Sequence, residues 1–116
     1  MRLLVLSAVL LSSVSTFAAP DVTVTGWVVD SACAYTKGID KPISASCAKA
    51  CAAKGSPLVI LKDDGTILLP VSDQMPAESQ NAKLLPFAGQ RVTVTGKAYE
   101  RGGSHAVVIA TIAAAK

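Results

Sequence analysis

Apolar and hydroxyl side chains alternate along residues 22–30, which read V-T-V-T-G-W-V-V-D. An alternation of period two among β-branched residues predicts a strand that buries one face. Gly26 interrupts the pattern and indicates a bulge or a sharp bend. The letters V-T-V-T-G recur at residues 92–96, inside a second predicted strand over residues 91–99. We therefore expect two strands of similar geometry, each bending at its glycine.

Two shorter apolar runs, residues 58–62 and 66–69, are separated by Asp63-Asp64-Gly65. An Asp-Gly pair between apolar runs is a strong signal for a β-hairpin. A last strand is predicted over residues 105–112, after a glycine-rich turn at 101–104. The chain therefore contains five predicted strands.

Residues 44–55, S-A-S-C-A-K-A-C-A-A-K-G, predict one short helix because alanine favours helix. Ser44 or Ser46 is the expected N-cap, and Gly55 suits the C-terminal end. The preceding residues 31–43 show no sustained period, so we expect a loop there. Asp30 is expected to cap that loop through its carboxylate.

Five strands, with a short helix expected around residues 77–84 between the third and fourth, give the element order of an OB-like barrel. The fold class predicted here is mainly β, a small five-stranded OB-like barrel. The cysteine-bearing helix is inserted between strands 1 and 2. An open β-sandwich is the alternative.

The N-terminus carries Arg2, a short apolar run and then small residues, which is the pattern of a secretory signal peptide. Cleavage after Ala18 is expected. Residues 1–18 are then the signal peptide and residues 19–116 a single domain of periplasmic or secreted location. No second apolar stretch follows, so no stable membrane span is expected.

The net charge of +3 falls to +2 when Arg2 is removed, and the lysines are scattered. Scattered charge indicates a solvated surface, and OB barrels that bind nucleic acid combine a basic groove with several stacking aromatics. Nucleic-acid binding is therefore not expected. No catalytic triad or phosphate-binding loop is recognisable, so no catalytic residue is assigned.

The motif G-W-V-V-D-S-A-C at residues 26–33, followed by C-A-K-A-C at 47–51 and Asp64-Gly65, resembles a group of small exported bacterial proteins. They are known mainly as a domain of unknown function with a predicted OB-like barrel. The resemblance covers most of residues 19–116 and implies fold and export, without an activity. Members of this group often carry a histidine before the paired cysteines, and this chain has none there.

The three cysteines, Cys33, Cys47 and Cys51, are the candidate functional residues. Residues four apart on a helix have β-carbons about 5–6 Å apart. A disulfide needs about 3.5–4.5 Å, so Cys47 and Cys51 should not bridge each other. In an oxidising compartment we expect Cys33 to bridge to Cys47 or Cys51. That bridge would stabilise the domain by about 3 kcal/mol.

Two other hypotheses use the same cysteines. With Ser46 as N-cap, Cys47 would be the first helical residue and a candidate attacking thiol of a redox protein. Alternatively, three thiolates suit Cu(I), which the softness of sulfur favours, or Zn²⁺ with a fourth ligand. His105 and Met75 are the available outside donors.

The sequence thus favours a non-enzymatic binding or accessory protein of the cell envelope. Its expected partner is an envelope protein or a small ligand, and the alternatives are a Cu(I) or zinc handler and a thiol-redox protein.

Overall fold

The structure is a computed structural model that describes residues 18–39 and 42–116. The predicted signal peptide, residues 1–18, lies outside the described residues except for Ala18. In chain order the elements are β1 (Asp21–Asp30), α1 (Ser31–Lys37), α2 (Ala45–Ala53), β2 (Leu58–Lys62), β3 (Ile67–Pro70), α3 (Asn81–Leu84), a 3₁₀ turn (Leu85–Phe87), β4 (Arg91–Arg101) and β5 (Ser104–Ala114). Within these ranges no helix has the length and apolar character needed to cross a bilayer.

The five strands close into a barrel in the order β1-β2-β3-β5-β4, with β4 returning to β1. β3 and β5 run parallel, and the other neighbours are antiparallel. The predicted OB-like barrel is confirmed, and its closure rules out the open sandwich.

The two V-T-V-T-G segments pair with each other, a relation that the sequence analysis did not anticipate. They lie antiparallel on β1 and β4, centred on Val24 opposite Val94. A β-bulge between Thr95 and Gly96 confirms the predicted irregularity in β4. β1 keeps an unbroken register through Gly26, so no bulge forms there. Glycine is required at that position because a Cβ would lie 2.7 Å from the carbonyl oxygen of Leu61.

The barrel interior is filled by aliphatic side chains from all five strands. Ala48 of α2 joins this cluster, so α2 packs against the barrel core. Leu84 and Ala88, from the connection between β3 and β4, also belong to it. Burial of this cluster is the main source of stability, since apolar area removed from water contributes about 25 cal/mol per Å².

A second apolar cluster covers the outer face of β1 and β2. It contains Val29, Ala34, Val59 and Leu61, with Trp27, Ile43 and Ile67 packed around it. The uninterrupted run L-V-I-L of β2 is thus buried on both faces, as runs without alternation generally are. The outer cover is provided by α1.

The prediction of a loop over residues 31–43 is wrong, because residues 31–37 form α1. Asp30 is its N-cap and accepts a hydrogen bond from the Cys33 N–H at 3.2 Å. Gly38 ends the helix with φ of +56°. A helix of seven residues shows no recognisable period, and its stability depends on this cap and on the burial of Ala34.

The helix between β3 and β4 is shorter than the expected residues 77–84. α3 starts at Asn81, whose side-chain oxygen accepts from the Leu58 N–H at 2.8 Å. Its amide nitrogen donates to the Ser56 carbonyl at 2.9 Å. Asn81 therefore ties α3 to the start of β2. The hairpin through Asp64-Gly65 forms as predicted, with Asp64 accepting from the Thr66 N–H at 2.9 Å.

Candidate functional site

Asp30 is the last residue of β1 and is only 1% exposed. A carboxylate this buried needs hydrogen-bond or charge partners, because losing water around a charge is costly. One oxygen accepts from the Cys33 N–H, so the N-cap of α1 holds the carboxylate and the Cys33 side chain on the same helical turn. The local sequence Asp-Ser-Ala-Cys therefore builds the first half of the site.

α2 supplies the second half. Ser44 is its N-cap and accepts from the Cys47 N–H at 3.2 Å. Ala48 faces the barrel core, which fixes the rotation of the helix. Because α2 starts at Ala45, Cys47 is the third helical residue. Of the two expected N-caps, Ser44 is confirmed, so the condition of the redox hypothesis, with Ser46 as N-cap and Cys47 as the first helical residue, is not met.

Gly89 allows α2 to approach the barrel closely. A Cβ there would lie 2.4 Å from the Ala45 Cα, and its φ of +74° also favours glycine. Its N–H donates to the Val28 carbonyl at 2.7 Å. The start of α2 is consequently held beside β1, two residues from Asp30.

These contacts bring three possible metal ligands together. A carboxylate oxygen of Asp30 and the Sγ atoms of Cys33 and Cys47 all lie within 4.8 Å of one another. Asp30 is buried, Cys33 is partly buried and Cys47 is exposed. The cluster therefore runs from the protein interior to the surface.

A cavity of about 320 Å³ adjoins the cluster between α1 and α2. Apolar residues form much of its wall, including Val29, Ala34 and Ile43. Among the described residues that line it, Lys37 and Asp30 are the charged ones. The cavity gives a small group access to the cysteines.

The electrostatics around Cys33 and Cys51 favour the protonated thiol at both residues. A hydrogen bond with Asp30, together with burial and the charge of that carboxylate, raises the pKa of Cys33 to about 11. Burial is the main cause that raises the pKa of Cys51, with Asp30 and Cys47 adding to it. A reactive redox cysteine needs a lowered pKa, so these two thiols are poorly suited to nucleophilic attack.

The structure brings together some of the candidate residues predicted from the sequence and leaves others apart. Cys33 and Cys47 lie in the cluster, and Cys51 lies one helical turn further along α2. All three are free thiols in the structure, and a bridge from Cys33 to Cys47 or Cys51 stays a prediction. His105 lies on β5, which is not a neighbour of β1, and its Nδ1 faces Glu100 Oε2 at 3.6 Å. Met75 is 84% exposed in the segment after β3.

Asp30 is the residue of the cluster that the sequence analysis did not assign as a ligand. It was expected only to cap the chain that follows. An N-cap carboxylate three residues before a cysteine places both groups on one helical turn. This spacing of Asp30 and Cys33 was the feature of the sequence that could have identified Asp30 as a ligand.

Comparison of the chain with protein-family models, with curated proteins and with solved structures finds no match.

Proposed function

We propose that this protein is a small exported metal-binding protein that holds Zn²⁺ with Asp30, Cys33 and Cys47. The observation that carries the proposal is the approach of one buried carboxylate and two thiols, from three different elements, to within 4.8 Å. Zinc takes cysteine sulfur at about 2.3 Å and carboxylate oxygen at about 2.0–2.2 Å. Ligand atoms in contact with one ion are separated by distances of this order.

The carboxylate makes Zn²⁺ a better candidate than Cu(I). Cu(I) is a soft ion that prefers sulfur alone, whereas zinc accepts sulfur and oxygen ligands in one site. Two thiolates and a carboxylate also carry three negative charges, which a divalent ion offsets further than a monovalent one. Charge compensation matters here because Asp30 is almost fully buried.

The role is one of binding, without an assigned reaction. Three protein ligands leave the fourth tetrahedral position open, and the adjoining cavity gives access to it.

The signal-peptide pattern of residues 1–18 supports export to the periplasm or medium. Mass spectrometry of the protein recovered from the cell envelope or medium should find a chain starting at Ala19. Recovery of the uncleaved chain in the cytoplasm would contradict export.

Zinc titration of the reduced, purified full chain against a chromophoric chelator tests the proposal. We expect one Zn²⁺ per chain. Asp30→Asn and Cys47→Ser should each weaken binding by at least about tenfold, or about 1.4 kcal/mol. His105→Gln is the matched control and should leave the affinity unchanged. A folded protein without stoichiometric zinc, or one whose affinity does not depend on Cys47, would contradict the proposal.

A structural disulfide is the second candidate role, and the proximity of the Cys33 and Cys47 sulfurs favours it. Such a bridge would tie α1 to α2 and remove two of the zinc ligands. Alkylation of the exported protein without reductant, followed by mass spectrometry, counts the free thiols. One free thiol supports the disulfide as the resting state, and three free thiols exclude it.

A further inference from the structure

We infer that the site is a transfer site, which releases its ion by ligand exchange at Cys47 to a partner bearing thiol ligands. The inference rests on the proposed function, because it concerns the fate of the ion bound there. It follows from two features of the structure: the different exposure of the three ligands, and the contacts that anchor α1 and α2 to the barrel outside the ligand atoms.

The ligands differ in how far an incoming group can reach them. Asp30 is 1% exposed, at the end of β1 beneath the two helices. Cys33 is partly buried, and Cys47 is exposed. A group arriving from solvent therefore meets the ion on the Cys47 side, while Asp30 and Cys33 hold it from within.

The elements that carry the ligands are held in place without an ion. α1 has its own N-cap in Asp30 and buries Ala34 against the outer apolar cluster. α2 has its own N-cap in Ser44 and buries Ala48 in the barrel core. Structural zinc sites, by contrast, are closed by four protein ligands and supply much of the folding energy. The proposed site has three protein ligands and is not closed in this way, which suits an ion held as cargo.

The ion is transferred by exchanging one thiolate ligand for another. The incoming thiol loses its proton to solvent as its sulfur bonds to the ion at the open position. The bond from the ion to Cys47 Sγ breaks, and that thiolate takes up a proton. A second thiol of the partner then displaces Cys33 in the same way. The bond from the ion to the Asp30 carboxylate breaks last, and the ion leaves bound to the partner's two thiolates. The ion keeps its charge throughout, so the transfer needs no oxidant or reductant.

The first test mixes zinc-loaded full chain with a metal-free peptide containing a Cys-x-x-Cys pair and follows zinc transfer over time. Exchange at an open position predicts a rate that rises in proportion to peptide concentration. A rate independent of peptide concentration would mean that the ion must leave first, which would overturn the inference. The equilibrium titration is a separate measurement: a protein that binds zinc but releases it without assistance contradicts only the inference.

The second test identifies the exit ligand in a Cys51→Ser variant, where only the two ligand thiols are counted. Alkylation of the zinc-loaded variant is followed by peptide mass spectrometry. We expect Cys47 to be modified at least about tenfold faster than Cys33, because an exposed thiol is the accessible one. Equal rates, or faster modification of Cys33, would overturn the assignment of Cys47.

Discussion

The barrel interior buries side chains from all five strands, whereas α1 and α2 each bury a single alanine completely. The barrel is consequently stabilised by many apolar contacts at once. The helices depend on two N-caps and on close packing at Gly89. The site can therefore be disturbed by substitutions that leave the barrel folded.

The largest effect is expected from Gly96→Ala, which acts on the barrel alone. The added Cβ would lie 2.0 Å from the Val108 carbonyl oxygen, so β4 and β5 could not keep their register. Overpacking of this kind should lower the free energy of unfolding by about 3 kcal/mol. Urea denaturation of the variant measures this loss. Gly103→Ala is the control, because alanine is strained at its φ of +79° but the added Cβ would have no atom within 4 Å. Equal losses in the two variants would contradict the packing argument.

Gly89→Ala should disturb the site and spare the barrel. Its Cβ would clash with Ala45 at the start of α2 and push Cys47 away from Asp30. We expect zinc affinity to fall by at least about tenfold, with the cooperative unfolding transition retained. Gly103→Ala again controls for backbone strain. Unchanged zinc affinity in the Gly89 variant would show that the position of α2 does not determine the site.

Asp30→Asn should change the reactivity of Cys33 without unfolding α1, because asparagine is also a good N-cap. The carboxylate raises the Cys33 pKa to about 11 by stabilising the protonated thiol. Replacing it should lower that pKa, so the alkylation rate of the metal-free protein should rise at about pH 8. The rate is measured for Cys33 by peptide mass spectrometry. An unchanged pH profile would contradict the assigned electrostatics.

The smallest effect is expected in the β2–β3 turn. Hydrogen bonds from Thr66 hold the pKa of Asp64 below the ordinary value of an aspartate side chain. The ionised group therefore stabilises the hairpin above that value, and the contribution disappears as the pH falls through the lowered pKa. Asp64→Asn should reduce stability slightly at neutral pH and have no effect in strong acid. Zinc affinity should not change, and a change would link the turn to the site.

The strands of the barrel could be predicted well because each strand or turn is marked by a pattern among residues that are neighbours in the sequence. Period-two alternation marks β1 and β4, and Asp64-Gly65 marks the hairpin. The helix α1 could not be recognised in the same way, since seven residues are too few to show a period. The apolar run of β2 did contain a clue, because a strand buried on both faces needs an outer cover.

The site could be predicted only in part. Cysteine spacing predicted that Cys33 lies near Cys47 or Cys51, and the structure brings its sulfur close to that of Cys47. The participation of Asp30 depends on where β1 ends relative to α2, which is a tertiary relation. The choice of Ser44 over Ser46 as N-cap also depends on how α2 packs at Gly89.

X-ray absorption spectroscopy at the zinc edge of the zinc-loaded, reduced full chain identifies the atoms bound to the ion. A site at Asp30, Cys33 and Cys47 should give two sulfur neighbours at about 2.3 Å and oxygen neighbours at about 2.0–2.2 Å. In Cys47→Ser one sulfur neighbour should disappear, while His105→Gln should leave the spectrum unchanged. A first shell of nitrogen and oxygen alone would contradict a zinc site at Asp30, Cys33 and Cys47.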